Sequence, residues 1–315
     1  MKLKAAFLLI VLPLFFSCQK EQFDFIDLKT EKVTSIKELS EITDVTTLGD
    51  SFIFLDGLSR RLAVSDDEFK NIEVIARRGK GPGELWSRAL YMTSGDHVYI
   101  IDQSLHRINI FNQYGFIDTI NIPQKGLSHD ITTYKKDILV LGLIPVNTDK
   151  LYFIFDMKEK KFEDGLVPVD QYENPMKKLS MNYTDSVCTG RHLFVAYMFQ
   201  NKIGKYNLET GEKIKEIKQP FLNMGSNDYN TSENTPERFY VTKMQIYKTN
   251  LYVLCYDMSS INQKDEPKVT TYLSVYDFEL NCQKIYKIDK KLRVFFIQDE
   301  IVYFFKENEV YCSSL

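Results

Sequence analysis

The chain has 315 residues, 44% of them hydrophobic and 26% charged, with 14 glycines and 9 prolines. That composition excludes a disordered or collagen-like polymer and is enough to bury a large core. The formal net charge of −3 provides no basic field for following a phosphate backbone, so nucleic acid is excluded as a partner class.

Residues 1–17 read as a leader rather than as part of the fold. Lys2 and Lys4 make a charged start, Ala5 to Phe16 form an apolar run broken only by Pro13, and Ser17 precedes Cys18. About a dozen apolar residues are too few to span a bilayer permanently, which fits a secretory signal. Leu14-Phe15-Phe16-Ser17-Cys18 resembles a bacterial lipobox, with Phe15 in place of the usual Leu. The resemblance implies that Cys18 is diacylated, becomes the mature N-terminus and ties the protein to a membrane. In such lipoproteins an Asp after the cysteine favours the inner membrane; Gln19 stands here, which implies the outer one. The expected organisation is a signal peptide over 1–17, a lipidated tether over 18–22 and one domain over 23–315. Four further cysteines remain, Cys188, Cys255, Cys282 and Cys312, with no CxxC or other zinc spacing. Their pairing stays open, although Cys255, inside an apolar run, reads as a small buried hydrophobe.

Beyond Lys20 the apolar runs are short and rich in β-branched and aromatic residues, as in Phe52–Leu55, His97–Ile101 and Leu251–Tyr256. Only Thr30–Glu41 has a faint helical period. Tight turns at Asp50, Asp96, Asp137, Gly190, Asn250 and Asp299 recur about every 50 residues, a period typical of propeller blades. One unit holds four strands, Tyr91–Thr93, Val98–Ile101, Arg107–Phe111 and Phe116–Ile120. The last holds only three, Leu292–Ile297, Ile301–Phe305 and Val310–Cys312. Phe23–Leu28 or Val33–Leu39 would supply the fourth and remove an exposed edge. The prediction is an all-β, six-bladed propeller of four-stranded antiparallel blades, its ring closed by an N-terminal strand. Two packed β-sandwiches are the rival, but no linker or break in composition divides the chain.

The string Arg77-Arg78-Gly79-Lys80-Gly81-Pro82-Gly83-Glu84-Leu85, followed by Gly95–Asp102 and Arg107–Phe111, looks like one NHL repeat. It is similar to a string in bacterial six-bladed propeller lipoproteins of the TolB-like kind. The match covers residues 76–120, and the other units share its spacing only. The resemblance implies the fold and structural roles for Asp102 and Arg107, as an ion pair or hydrogen bonds holding adjacent strands. Gly79, Gly81, Pro82 and Gly83 let the chain cross between blades, with Glu84 tying the loop down.

In a propeller the turns alternate between two faces. The long connections Ala76–Arg88, Gln171–Asn182, Asn223–Arg238 and Met258–Lys268 all fall on one of them, and long ordered loops on a rigid scaffold are where binding concentrates. Arg77, Arg78 and Lys80 would reinforce an anion-binding nest of loop amides. Trp86, beside Arg88, is either an aromatic platform for a sugar or peptide or a plug between blades. His129 and Asp130, with Asp44, Arg88, Asp185, Lys243 and Arg293, start innermost strands and face the central channel, a ring of mixed charge that either binds a polar ligand or is solvated and self-paired. No GxSxG string accompanies the four histidines. His97 and His192 fall on the short-turn face, leaving His106 and His129 as conceivable bases. The reading is a lipid-anchored envelope module that binds a peptide, glycan or partner protein through its long-loop face, with no cofactor, metal or catalysis expected. The alternative is a metal-dependent, lactonase- or lyase-like propeller whose site at the channel mouth draws on Asp44, His129, Asp130, Asn182 and Asp185.

Overall fold

The run Phe52-Ile53-Phe54-Leu55 is apolar without interruption because the strand that carries it is buried on both faces. Phe52 and Phe54 face one neighbouring sheet, Ile53 and Leu55 the other. In the computed structural model, which describes residues 24–87, 90–123, 127–144, 148–219, 241–257 and 270–315, that pattern repeats around a ring of six sheets. Six apolar clusters fill the six gaps between adjacent blades, so the core is a set of radial seams.

Two strands precede the first blade, β1 (Phe25–Asp27) and β2 (Glu31–Ser35). Blade 1 is β3 (Ile42–Leu48), β4 (Ser51–Asp56), β5 (Arg61–Ser65) and β6 (Ile72–Ala76). Blade 2 is β7 (Leu90–Ser94), β8 (Val98–Asp102), β9 (Arg107–Asn112) and β10 (Gly115–Asn121). Blade 3 is β11 (Ser128–Lys135), β12 (Ile138–Leu143), β13 (Tyr152–Asp156) and β14 (Lys161–Gly165). Blade 4 is β15 (Thr184–Thr189), β16 (His192–Tyr197), β17 (Ile203–Asn207) and β18 (Lys213–Ile217), preceded by the short helix α1 (Pro175–Met181). Blade 5 is β19 (Val241–Tyr247), β20 (Asn250–Asp257), β21 (Thr270–Asp277) and β22 (Cys282–Ile288). Blade 6 has only β23 (Val294–Gln298), β24 (Ile301–Lys306) and β25 (Glu309–Ser314) from the C-terminal segment.

The first strand of each blade lines the centre, and these six touch one another in cyclic order, β3 to β7, β11, β15, β19, β23 and back to β3. Closure comes from β2, which pairs antiparallel with β25 as the fourth strand of blade 6, Glu31 opposite Cys312 and Ser35 opposite Glu309. It overlaps the expected Val33–Leu39 at its first three residues. The other expected segment has a different place: β1 lies parallel to β22 and gives blade 5 a fifth strand. The faint helical period of Thr30–Glu41 is overridden by this pairing. Helix α1, which the strand pattern does not show, starts at Asn174, whose side chain accepts the Met176 and Lys177 N–H groups ahead of Pro175 at the first helical position.

Strand polarity sorts the connections by rim. Two-residue turns such as Asp299-Glu300, both at positive φ (50° and 63°), join first to second strands at one rim in the primed-turn geometry that suits twisted hairpins. The opposite rim carries 77–89 between β6 and β7 and 166–183 between β14 and β15. The strand ends that bracket 218–240 and 258–269 lie there too. Most of those last two segments, including Asn223–Arg238 and Met258–Lys268, lies outside the described residues. Residues 1–23, with Cys18, and Arg88 do so as well.

Candidate functional site

On the long-loop rim, Arg78 bridges Leu85 in a short parallel pairing, with the Gly79 N–H on the Leu85 carbonyl and the Leu85 N–H on Arg77. Between them the chain reverses through Gly81-Pro82-Gly83-Glu84, closed by the Glu84 N–H on the Gly81 carbonyl at 3.1 Å. Pro at the second position and Gly83 at φ +73° in the third are the residues a type II turn requires. The Glu84 carboxylate accepts the Gly81 N–H at 2.7 Å, so the place an anion would take in a nest of amides is held by the loop's own acid.

Blade 2 fixes this loop from beneath. Asp102 accepts the N–H groups of Trp86 (2.6 Å) and Ser87 (3.1 Å). Arg107 donates to the carbonyls of Lys80 (3.1 Å), Gly81 (2.9 Å) and Glu84 (2.7 Å), and the Asn109 amide donates to Glu84 as well. Both residues are buried, and each bonds the crossing loop rather than bridging the two strands that carry them. Asn109, the third member of the latch, lies two residues beyond Arg107 on the same face of β9, a period-two signal readable from sequence.

The latch presents a cluster of cations. Lys80 lies over the Trp86 ring at 4.4 Å, with Arg78 at 5.6 Å and Arg60, from the β4–β5 connection, at 5.8 Å. Trp86 is half-buried, while Arg77, Arg78 and Lys80 are exposed and form no ion pair among the described residues. Its ring holds cations in place by cation–π attraction. No sequence signal marks Arg60 as part of the cluster, because it arrives from the neighbouring blade.

The channel mouth is a second polar constellation. Asp44, Asp130 and Lys243 each follow a β-bulge near the start of their innermost strand, the pairing shifting between Ile42 and Asp44, between Ser128 and Asp130, and between Val241 and Lys243. Bulges re-aim side chains, and here they turn charge toward the axis. The Lys243 ammonium is 2.9 Å from Asp44 and 4.0 Å from Asp185. Asp185 also accepts the Met244 N–H at 2.6 Å. Burial raises the pKa of Asp185, and Lys243 only partly offsets it. Burial alone would lower Lys243, but Asp44 and Asp185 outweigh it and hold the ammonium above its usual range.

Beside it runs a relay. Asp130 accepts the Tyr152 hydroxyl at 2.8 Å, Tyr152 meets Thr184 at 2.7 Å, and Thr184 meets His129 Nε2 at 2.8 Å. With Asp130 ionised as the terminal acceptor, each hydroxyl donates toward it, so Nε2 carries the proton. His129 Nδ1 is then the bare nitrogen, and it has no hydrogen-bond partner among the described residues. Burial pushes the His129 pKa down to about 3, which leaves the ring neutral. Burial also raises Asp130, against the hydroxyl bonds that favour its charged form.

These residues do not converge as metal ligands. Among the described residues no group of three or more His, Cys, Asp or Glu is placed to hold a metal ion. The Lys243 ammonium lies beside Asp44 and Asp185, His129 is bonded to Thr184, and Asn182 holds the chain after α1 through Asp170 and Lys178. Arg293 stands apart at the surface, 3.6 Å from Glu41. Below the mouth the channel is a cavity of about 310 Å³, lined by hydroxyl groups such as Thr46, Ser94 and Thr133 together with Lys243 and Gln245.

Residues 16–192 match the model of a family described as a 6-bladed beta-propeller, DUF5128. No curated protein sequence matches the chain. Among solved structures, a protein of Bacteroides fragilis NCTC 9343 described as exported is similar with a TM-score of 0.59 and 13% identity, over 93% of this chain and 94% of that one. A DUF4221 member from Bacteroides vulgatus gives a TM-score of 0.57 at 12% identity, over 92% of this chain and 97% of that one. Virginiamycin B lyase from Staphylococcus aureus gives 0.51 at 12% identity, over 86% and 79%. At such identities the likeness is one of fold. Among the described residues no helix is long and apolar enough to cross a membrane.

Proposed function

We propose that this chain, which belongs to the DUF5128 six-bladed β-propeller family, is a lipid-tethered envelope module that binds an anionic segment of a peptide, glycan or partner protein through its long-loop rim. The tether is the one expected at Cys18, with the outer membrane as its site. One observation carries the binding reading: exposed Arg77, Arg78 and Lys80, without ion-pair partners among the described residues, stand on a loop that Asp102, Arg107 and Asn109 hold rigidly from below. A surface lysine or arginine ordinarily keeps its conformational freedom, and ordering it on binding opposes association. Here Trp86 and the latch have ordered Arg78 and Lys80 in advance.

The test is a screen of the purified mature protein against glycans, peptides and envelope extracts, followed by titration of the hits. Ligands bearing carboxylate, sulfate or phosphate groups should dominate, and the double variant Arg78→Ala/Lys80→Ala should weaken them about tenfold or more. Hits that are neutral, or that bind the double variant equally well, refute this reading. Turnover of a lactone by protein carrying a tightly held divalent metal would favour the enzymatic alternative.

A further inference from the structure

The direction of β1 determines where the tether leaves the propeller. The fourth strand of blade 5, β22, begins at the short-turn rim, since the turn 278–281 that feeds it lies there. Strand β1 runs parallel to it, with Phe25 opposite Ile285 and Asp27 opposite Lys287. The chain therefore enters β1 from the short-turn side and runs toward the long-loop side. Seven residues, Cys18 to Asp24, precede Phe25, and at roughly 3.4 Å per residue their contour is about 24 Å at most. A reversal toward the other rim would use about four of those residues in a turn, leaving about three, or roughly 10 Å of contour, beyond it.

The rim beside that exit has a distinct surface. A groove of about 350 Å³ runs between blades 5 and 6, lined by Tyr247, Tyr252 and Tyr286 with Lys248, Lys284 and Glu300. Tyr247 and Tyr252 meet edge to face at 6.5 Å, the Tyr247 hydroxyl accepts the Glu300 N–H at 3.0 Å, and Lys248 pairs with Glu300 at 2.5 Å. Lys284 is exposed. Phe25 and Ile26, at the root of the tether, are 45% and 44% exposed. Tyr247 is half-buried, with exposed Lys248 and Lys284 at the edge of the groove and buried Tyr252 and Tyr286 beneath; a tyrosine with lysines beside it is favoured at the headgroup level of a bilayer.

We infer that the short-turn rim of blades 5 and 6 lies against the membrane, its tyrosine–lysine groove seating phospholipid headgroups, so that the long-loop rim points away from the bilayer. The phosphate of a headgroup meets Lys284 and Lys248, and its ammonium meets Glu300 and the Tyr247 ring. This orientation rests on the lipid tether proposed above, and it places the cationic loop where soluble or surface-bound ligands reach it.

The protein carries one tryptophan, Trp86, on the rim expected to face away. Full-length lipidated protein is reconstituted into phosphatidylethanolamine/phosphatidylglycerol vesicles containing brominated acyl chains, which quench tryptophan near the bilayer. Trp86 should keep its emission. In a Trp86→Phe background, Tyr247→Trp should lose roughly half of its emission, as expected for an interfacial ring. Lys284→Trp is a second reporter should Tyr247→Trp fail to fold. Quenching of Trp86 with retained emission at position 247 or 284 overturns the orientation. Vesicle flotation and the mass of the N-terminal peptide report on the tether separately. Protein that floats, but only when Cys18 is intact, supports the anchor whatever the quenching shows, and protein that does not float overturns both readings. Added inorganic phosphate should not release the quenching at position 247, whereas release would show an ion site rather than a headgroup site.

Discussion

Asp102 and Arg107 stand directly opposite each other in the β8–β9 pair, yet their charged groups both go to the loop that crosses from blade 1. One receives two backbone N–H groups and the other covers three backbone carbonyls. Opposite charges facing across a sheet normally offset each other. Here each charge satisfies loop backbone that would otherwise be buried without partners.

Arg107→Ala should therefore lower the unfolding free energy by about 2–3 kcal/mol, through carbonyls left without their charged donor. Arg107→Lys should recover little, because a single ammonium cannot span three carbonyls as a guanidinium does. Denaturant titration of each variant measures this. The same variants should weaken anionic ligands at the long-loop rim, since the cations of the loop lose their fixed positions.

Gly83 is the strictest position in the turn. Its φ of +73° disfavours any side chain, and an added Cβ would lie 2.6 Å from Cγ of the Phe116 ring. Gly83→Ala should cost about 1–3 kcal/mol by strain and displaced packing. In Gly83→Ala/Phe116→Ala the steric part should be relieved and the strain should persist, a difference that thermal melts of the two variants resolve.

The channel mouth should make stability fall with rising pH. Asp130 and Asp185 have folded-state pKa values raised by burial. Their contribution is complete below the ordinary carboxylate value, about 3.9, and is lost as pH climbs through the raised values. His129 acts oppositely: with its pKa near 3, its contribution is present above the ordinary value of about 6.5 and is lost below it. Between pH 4 and 6.5 the two trends oppose each other. Above about pH 6.5 only the carboxylates still titrate, so unfolding free energy should decline by up to about 1.4 kcal/mol per pH unit for one group. Asp185→Asn retains an acceptor for the Met244 N–H and should flatten that decline, measured by urea unfolding at a series of pH values.

Lys243 is the cation that makes the acidic mouth tolerable. Lys243→Met should cost about 3–5 kcal/mol at pH 8, because buried carboxylates are left without a counter-charge. The deficit should shrink at pH 5 as protons replace the ammonium. Adding Asp44→Asn should restore part of the loss at the higher pH. A pH-independent deficit would mean that Lys243 contributes by packing alone.

The strands of blade 2 were legible because alternating and doubly apolar runs are properties of neighbouring residues; β7 to β10 each extend Tyr91–Thr93, Val98–Ile101, Arg107–Phe111 and Phe116–Ile120 by a residue or more at their ends. The starts of the innermost strands also pointed to Asp44, Asp130 and Lys243 as channel residues. What the pattern could not contain is the bulge before each of them, since an extra residue in one strand is defined only against its partner. The stacking of Arg60 on Trp86 was equally hidden, because it joins separate blades. Helix α1 carried a readable signal, Asn174 followed by Pro175, but seven residues are too few for a helical period to stand out.

The pairing of β2 with β25 joins Glu31 to Cys312, so β2 waits for a partner synthesised five blades later before it finds its place. Until then blade 6 has no outer member. Such distant partnership slows folding and prolongs the exposure of sticky sheet margins. Whatever machinery handles the nascent polypeptide must therefore shelter everything made between these two strands, and release it only when both are present to be fastened together.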